Sequence, residues 1–365
     1  MTSLALHKFH AALNATFTVV NGFEVVEHFG DWLAEHAALT KTAGVLDLSF
    51  RGRICLTGAD RVRFLNGQVT NNVKDLRAGQ GCHAALVNAK GKLQADLNIA
   101  CLPEELLLDF EPGLTEMITQ RLEKYIIADD VQVVDAAPHY GLLSVQGPKA
   151  ETVIRSLGLP IEIPAQPMQI ASSKDATLGE IYLLNHPRLE TSGFDLFVPT
   201  ASLGAVMDKL IAAAREVSGR AVGWRALEAA RIEAGIPRFG VDMDETNLAP
   251  ETGIASRAIS YSKGCYIGQE VIARIRTYGQ VAKALRGLRL ADDLKQLPAR
   301  GDKLFHAGKE AAYITSALTS PALGLNIALG YVRKEANQLG TKLTLLTAGA
   351  ESAAEIVELP FRVFK

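Results

Sequence analysis

The sequence predicts an α+β protein that finishes in a small all-β domain, closed or sandwiched, and three observations carry that prediction. Short apolar runs separated by turn chemistry fill residues 45–108, an amphipathic helical pattern occupies residues 203–217, and beyond Lys283 only strand patterns remain.

Taken in order, GVLDLSF, RICLTG, HAALVNAKGK, LQADLNIACL and ELLLDF read as strands joined by hairpins. TGADRVRFLNGQVTNNV interrupts them as a short helix, because Asp60 can cap it while Val62, Phe64 and Leu65 give it an apolar face. VQVVD and LLSVQG continue the strands, and Pro148 opens a helix over KAETVIRSLG. Leu203, Val206, Met207, Leu210, Ile211 and Ala214 then recur at spacings of three and four, the mark of a helix with one buried face. A second helix, GWRALEAARIEAG, stops at Gly235 and Pro237. IPRFGVDMDETNLAPETG follows as a long turn-rich loop, and long loops in compact proteins commonly carry function. Its acidic VDMDETN lacks the spacing of a calcium-binding loop and reads as a solvated bend. Six strands close the chain: ALRGLRL, DKLFHAG, AAYITSA, IALGYVRK, KLTLLTA and AAEIVELPF. Together they make a domain of roughly eighty residues, an ordinary domain size.

With 365 residues, 48% of them hydrophobic, the chain has material for two or three packed cores. Forty acidic and 38 basic residues leave a net charge of -2, which gives no overall attraction to nucleic acid or to an anionic membrane. The first fifty residues hold no arginine and no basic segment leading into an apolar run, so no targeting signal is expected, and no apolar stretch is long enough to span a bilayer. The expectation is a cytoplasmic protein with reduced thiols. Cys55, Cys82, Cys101 and Cys265 lie far apart without a C-x-x-C pair or a suitably spaced histidine, so no metal site is expected. Cys55, Cys82 and Cys101 fall on strand-like segments where packing accounts for them, and His83 beside Cys82 reads as structural or exposed.

Cys265 stands in KGCYIGQE. Lys263 and a helix beginning near Ile267 would both favour its thiolate, Gly264 and Gly268 would let backbone amides approach a ligand or partner, and Gln269 or Glu270 would cap the helix start. The alternative is a cysteine that only fills a tight turn beside Tyr266. Arg274 and Arg276 fit either a strand or a frayed helix end.

By that octapeptide the chain resembles the YgfZ family of folate-binding, iron-sulfur-related proteins, within the glycine-cleavage T-protein (aminomethyltransferase) superfamily. The similarity continues, in order, through AGVLDLSFRGRICLTGADRVRFLNGQVTNNV, NAKGKLQADL, VQGPKA, SGFDLFVP, ARIEAGIPRFGVDMDE, LAPE and ITSALTSPALGLNIALGYV. The resemblance implies a three-domain cloverleaf around a channel for tetrahydrofolate or a derivative. Residues 1–50 and 138–283 would form a discontinuous first domain, 51–137 a second, and 284–365 a small C-terminal β-barrel.

It also implies roles. Asp195 in SGFDLF takes the place of an acidic residue that grips the pterin edge through paired hydrogen bonds; read without the family it is a solvent-facing strand-end aspartate. Asp96 matches the second of two adjacent T-protein aspartates, the one beside the reacting nitrogen, although its neighbour here is Ala95. It would act as base or electrostatic stabiliser, or else pair with Lys92 as an edge-strand carboxylate. Arg225 would meet the benzoyl-glutamate end of folate, or pair with Glu228 or Glu233. Ile236 departs from the tyrosine that some aminomethyltransferases carry there.

True T-proteins lack the octapeptide, so the resemblance favours a folate-binding accessory protein for iron-sulfur cluster assembly or repair, including clusters of tRNA-modifying enzymes. Its expected partners are iron-sulfur client or assembly proteins, with no direct contact to nucleic acid or membrane. The alternative is an aminomethyltransferase that moves a one-carbon unit to tetrahydrofolate.

Overall fold

A computed structural model describes residues 1–279, 281–347 and 349–361. Two compact units divide the chain: Met1–Leu86, Ala95–Glu228 and Ser262–Tyr266 make the first, and Val87–Gln94, Ala229–Tyr261 and Ile267–Lys365 the second.

The first unit holds two large sheets. One has six strands in the order Ile170–Asp175, Gly179–Asn185, Gly193–Pro199, Tyr140–Gln146, Gly44–Asp47 and Arg220–Ala221. All its pairings are antiparallel except the last. Phe194, Leu196 and Val198 pack with Leu203, Val206, Met207 and Leu210 of the helix Leu203–Glu216. Burying each of these side chains stabilises the unit by about 1.5–3 kcal/mol. Side chains alternate along a strand, so Asp195 and Phe197 face away from that helix.

The second sheet runs Gln80–Val87, Leu93–Cys101, Leu106–Phe110, Gly52–Thr57 and Gln132–Asp135. Ala84, Leu86, Ala95, Leu97, Ile99, Leu106 and Leu108 build its core with Phe64 and Leu65 of the helix Arg61–Gln68. Alternation again turns the residues between them, His83, Asp96, Asn98 and Asp109, to the opposite face. A separate hairpin pairs Thr16–Val20 with Phe23–His28. Its turn residues Asn21 and Gly22 both have positive φ, as a two-residue hairpin turn requires.

Two local expectations are corrected. Asp60 occupies the cap position of its helix but makes no side-chain cap bond: its carboxylate accepts from the Asp130 amide at 3.0 Å and from Arg63 at 3.2 Å. The helix after Pro148 begins only at Ala150, because Gly147, in the left-handed region, still belongs to the turn.

In the second unit, six strands close into a barrel in the order Lys283–Leu290, Asn326–Arg333, Lys309–Thr319, Lys303–His306, Lys342–Thr347 and Ala350–Val357. Leu288, Leu304, Ile314, Val332, Leu345 and Ile356 fill it. This is the α+β, barrel-ended architecture expected from the sequence. The loop after Gly235 is not a solvated bend throughout: Asp242 is buried, pairs with Arg231, and accepts from the Thr315 and Ser316 hydroxyls at 2.6 and 2.7 Å. A carboxylate so enclosed persists only because its acceptor sites are filled. Among the described residues no helix is long and apolar enough to cross a membrane.

Candidate functional site

The inner faces of the two sheets of the first unit carry a polar stripe through otherwise apolar strands. At its centre is Asp195, fully buried on an internal strand. Arg188 donates to it in a fork, Nε at 3.1 Å from Oδ1 and Nη2 at 2.7 Å from Oδ2, and His186 Nδ1 lies 2.8 Å from Oδ2. Burial alone would raise the Asp195 pKa; the Arg188 guanidinium and His186 overcome it and hold the carboxyl at about 2. Arg188 Nη2 also donates to Asp109 Oδ2 at 3.0 Å, and Asp109 accepts from Arg51 Nε at 2.7 Å and Asn98 Nδ2 at 2.8 Å. Asp109 is likewise buried, yet Arg51 and Arg188 hold its pKa well below the usual carboxylate range.

The loop before Asp195 is shaped to deliver Arg188. Gln146 Oε1 accepts the Arg188 amide at 3.0 Å, and the Gln146 side chain crosses directly over Gly193. A Cβ at Gly193 would fall 2.1 Å from that oxygen, so glycine there is a condition of the arrangement.

Asp195 therefore does not stand open to a pterin edge, nor is it the solvent-facing strand-end residue of the alternative reading. Both oxygens are occupied inside the protein. A ligand could take its bidentate face only by displacing Arg188, whose buried guanidinium would then keep Asp109 but lose the fork to Asp195.

Further along the same face the stripe reaches solvent. His83 Nε2 lies 3.0 Å from Asp96 Oδ2, with side-chain exposures of 11% and 21%. A carboxylate only accepts, so Nε2 of the imidazole carries the donated proton and Nδ1 is the nitrogen turned away. That Nδ1 is buried and has no hydrogen-bond partner among the described residues. Asp96 is two residues from Asn98 on one strand, so the two side chains are neighbours about 7 Å apart. The dyad and the ionic cluster thus form one layer. Lys92, the alternative partner for Asp96, instead donates to the Thr246 carbonyl at 2.6 Å.

Within KGCYIGQE the roles divide. Lys263 is 8% exposed, and its ammonium donates to the carbonyls of Asn66, Val69 and Asn71 at 2.6, 2.7 and 2.8 Å. Burial pushes its pKa down, to about 8, although nearby Cys82 acts in the other direction. The Tyr266 ring is buried with its centroid 4.9 Å from Lys263 Nζ. Between these anchors Gly264 and Cys265 are exposed, so Cys265 does not fill a tight turn. Lys263 serves the carbonyl cradle; it is no free cation beside the thiol.

The helix begins at Gln269 rather than Ile267, with Gly268 in the left-handed region at φ 81° and no side-chain cap bond from the octapeptide. Gly268 lies close against protein backbone: a Cβ there would lie 2.4 Å from the Asn88 carbonyl oxygen. Arg274 and Arg276 are helical, the first 3.2 Å from Glu270 and the second over the Tyr261 ring at 4.2 Å. Burial raises the thiol pKa of Cys55, Cys82 and Cys101, that of Cys82 to about 12. Arg225 is exposed and stacks over the Trp32 ring at 4.4 Å, while Glu233 is engaged with Ser320.

Residues 6–263 match the GCVT N-terminal domain, and residues 283–362 match the glycine cleavage T-protein C-terminal barrel domain. The chain belongs to the glycine cleavage T-protein family. Among relatives in that family, an aminomethyltransferase of Saccharopolyspora erythraea is 27% identical over 359 residues, covering 98% of this chain and 96% of its own length. One from Symbiobacterium thermophilum is 26% identical over 366 residues, with the same coverage. The crystal structure of glycine cleavage system aminomethyltransferase T from Bartonella henselae superposes with a TM-score of 0.89 at 24% identity, over 100% of this chain and 99% of that one. That likeness establishes the T-protein fold.

The sequence reading gave His83 only a structural or exposed place and missed His186, Arg188, Asp109 and Arg51. Asp109 left a trace, as the single charge in the apolar run LLLDF, and so did the alternation of Asp96 and Asn98 in LQADLNI. Arg188 and His186, on a loop of no pattern, left none.

Proposed function

We propose that this T-protein family member binds tetrahydrofolate or a derivative and serves as an accessory protein in the assembly or repair of iron-sulfur clusters in other enzymes, including those that modify tRNA. The observation that carries this reading is the form of the KGCYIGQE turn, with Lys263 and Tyr266 buried as anchors and Cys265 presented to solvent. Such a thiol is placed to meet a partner protein or a labile cluster, a role aminomethyl transfer does not require. Folate binding is inferred from family membership. In this reading Asp96, with His83 behind it, meets the polar part of the cofactor, Arg225 offers a guanidinium to its glutamate carboxylate, and Asp195 holds the adjoining layer in place.

The test is complementation. In a strain lacking the protein and deficient in an iron-sulfur tRNA-modifying activity, the wild-type chain restores that activity and Cys265→Ser does not. Full rescue by Cys265→Ser removes the chemical role of the thiol.

The relatives named aminomethyltransferase along nearly their whole length favour a second reading, transfer of a one-carbon unit from an aminomethylated lipoyl carrier to tetrahydrofolate. Here Asp96 would stabilise positive charge developing at the reacting nitrogen. Turnover with such a carrier, lost in Asp96→Asn, establishes this reading; no turnover rejects it.

A further inference from the structure

The barrel unit carries a cleft of about 400 Å³ that neither reading above uses. Strand register builds it. Lys303, Tyr313 and Tyr331 stand directly opposite one another on three neighbouring strands, and Lys283 opposes Arg333 on the next pairing. The two tyrosine rings stack with centroids 5.4 Å apart. Lys283 Nζ lies 4.7 Å from the Tyr331 centroid and 2.8 Å from the Tyr313 hydroxyl.

Two features are left incomplete by the protein itself. Lys283, only partly exposed, has no carboxylate within ion-pair distance among the described residues; it rests on aromatic faces and a phenol. Tyr331 is 1% exposed and lines the cleft, yet its hydroxyl has no hydrogen-bond partner among the described residues. Burial keeps that phenol protonated, so it remains a donor. Around them Lys303 and Arg333 share one carboxylate, Glu310, at 3.3 and 3.4 Å, and Lys334 adds a fourth cation, with Glu335 and Glu251 the other carboxylates of the lining. Glu251, also at the cleft, already accepts from the Leu248 amide at 3.0 Å. An ammonium without an ion-pair partner and an unsatisfied donor hydroxyl, in a cleft whose lining holds four cations and three carboxylates, are the complement of an oxyanion.

We propose that this cleft binds a small molecule through a carboxylate or phosphate group, held by Lys283 and the Tyr331 hydroxyl with Arg333 and Lys334 at the mouth. The site stands on the barrel alone and does not depend on the folate reading.

The full chain is titrated by calorimetry and by tyrosine fluorescence with two probes, L-glutamate and inorganic phosphate, at low and high salt. Saturable binding of one of them is expected, weakening with salt, and the stronger probe identifies the group recognised. Lys283→Met is expected to weaken that binding at least about tenfold and Lys283→Arg to retain most of it, because the ammonium is the unpaired charge. Tyr331→Phe removes a single oxygen and is expected to weaken binding several-fold without lowering Tm, which separates loss of a contact from loss of fold. Absence of saturable binding for both probes, or binding unchanged in Lys283→Met and Tyr331→Phe, overturns the proposal.

Discussion

His83 Nε2 lies 3.0 Å from Asp96 Oδ2 on adjacent strands, and the far nitrogen of the same imidazole is buried without a hydrogen-bond partner among the described residues. The carboxylate fixes the orientation of the ring. Asp96→Asn keeps the shape but loses the charge. It is expected to weaken tetrahydrofolate binding about tenfold or more by calorimetry, in line with the worth of a hydrogen bond to a charged group. His83→Phe, which leaves the Asp96 carboxylate without the ring that orients it, is expected to weaken binding by less. Unchanged affinity in both variants would remove the dyad from the proposed folate site.

The Asp195 cluster should govern acid stability. The native Asp195 pKa of about 2 lies below its ordinary 3.8, so the folded state binds fewer protons between those values. Its contribution, about 2 kcal/mol, is complete above pH 4 and is lost as the pH falls towards 2. Asp195→Asn leaves Arg188 buried beside a neutral amide and is expected to cost about 3–5 kcal/mol at pH 7 in urea unfolding. The difference from wild type should shrink on acidification through that window.

Lys263→Met should act on the fold first. Three carbonyl oxygens, those of Asn66, Val69 and Asn71, lose their shared donor. A loss of about 2–4 kcal/mol is expected in denaturant unfolding. A fully stable variant would show that water replaces the ammonium.

Gly268→Ala tests the same octapeptide from its other end. The residue sits at φ 81°, and the new Cβ would meet the Asn88 carbonyl at 2.4 Å. Left-handed strain and backbone contact together are expected to cost at least about 2 kcal/mol, read as a drop in Tm, whereas Gly264→Ala, with open space around it, should change Tm little.

Thiol labelling should resolve a single fast cysteine at pH 7. Cys265 is exposed, whereas Cys55 and Cys101 are buried and the Cys82 thiol is held protonated by its surroundings. Cys265→Ser is expected to abolish the fast phase. A second fast phase would mean that the strand carrying Cys82 opens.

Much of the architecture was written in local pattern. The period of three and four over residues 203–217 is met by the helix Leu203–Glu216, whose Leu203, Val206, Met207, Leu210, Ile211 and Ala214 are all buried. The six runs after Lys283 are the six strands of the barrel, because strand alternation and glycine or proline joints are properties of neighbouring residues.

Tertiary structure alone decided what the marked residues touch. Asp195 stands on an apolar strand whose alternation says that it leaves the helix-packed face, but not that a second sheet and Arg188 wait on the other side. Arg188 meets Asp109 across 79 residues of chain and Arg51 meets Asp109 across 58, separations at which no periodicity survives. Lys263 finds its cradle of carbonyls nearly two hundred residues back along the chain. A buried charge must find partners, and which partners reach it is settled only when distant segments pack.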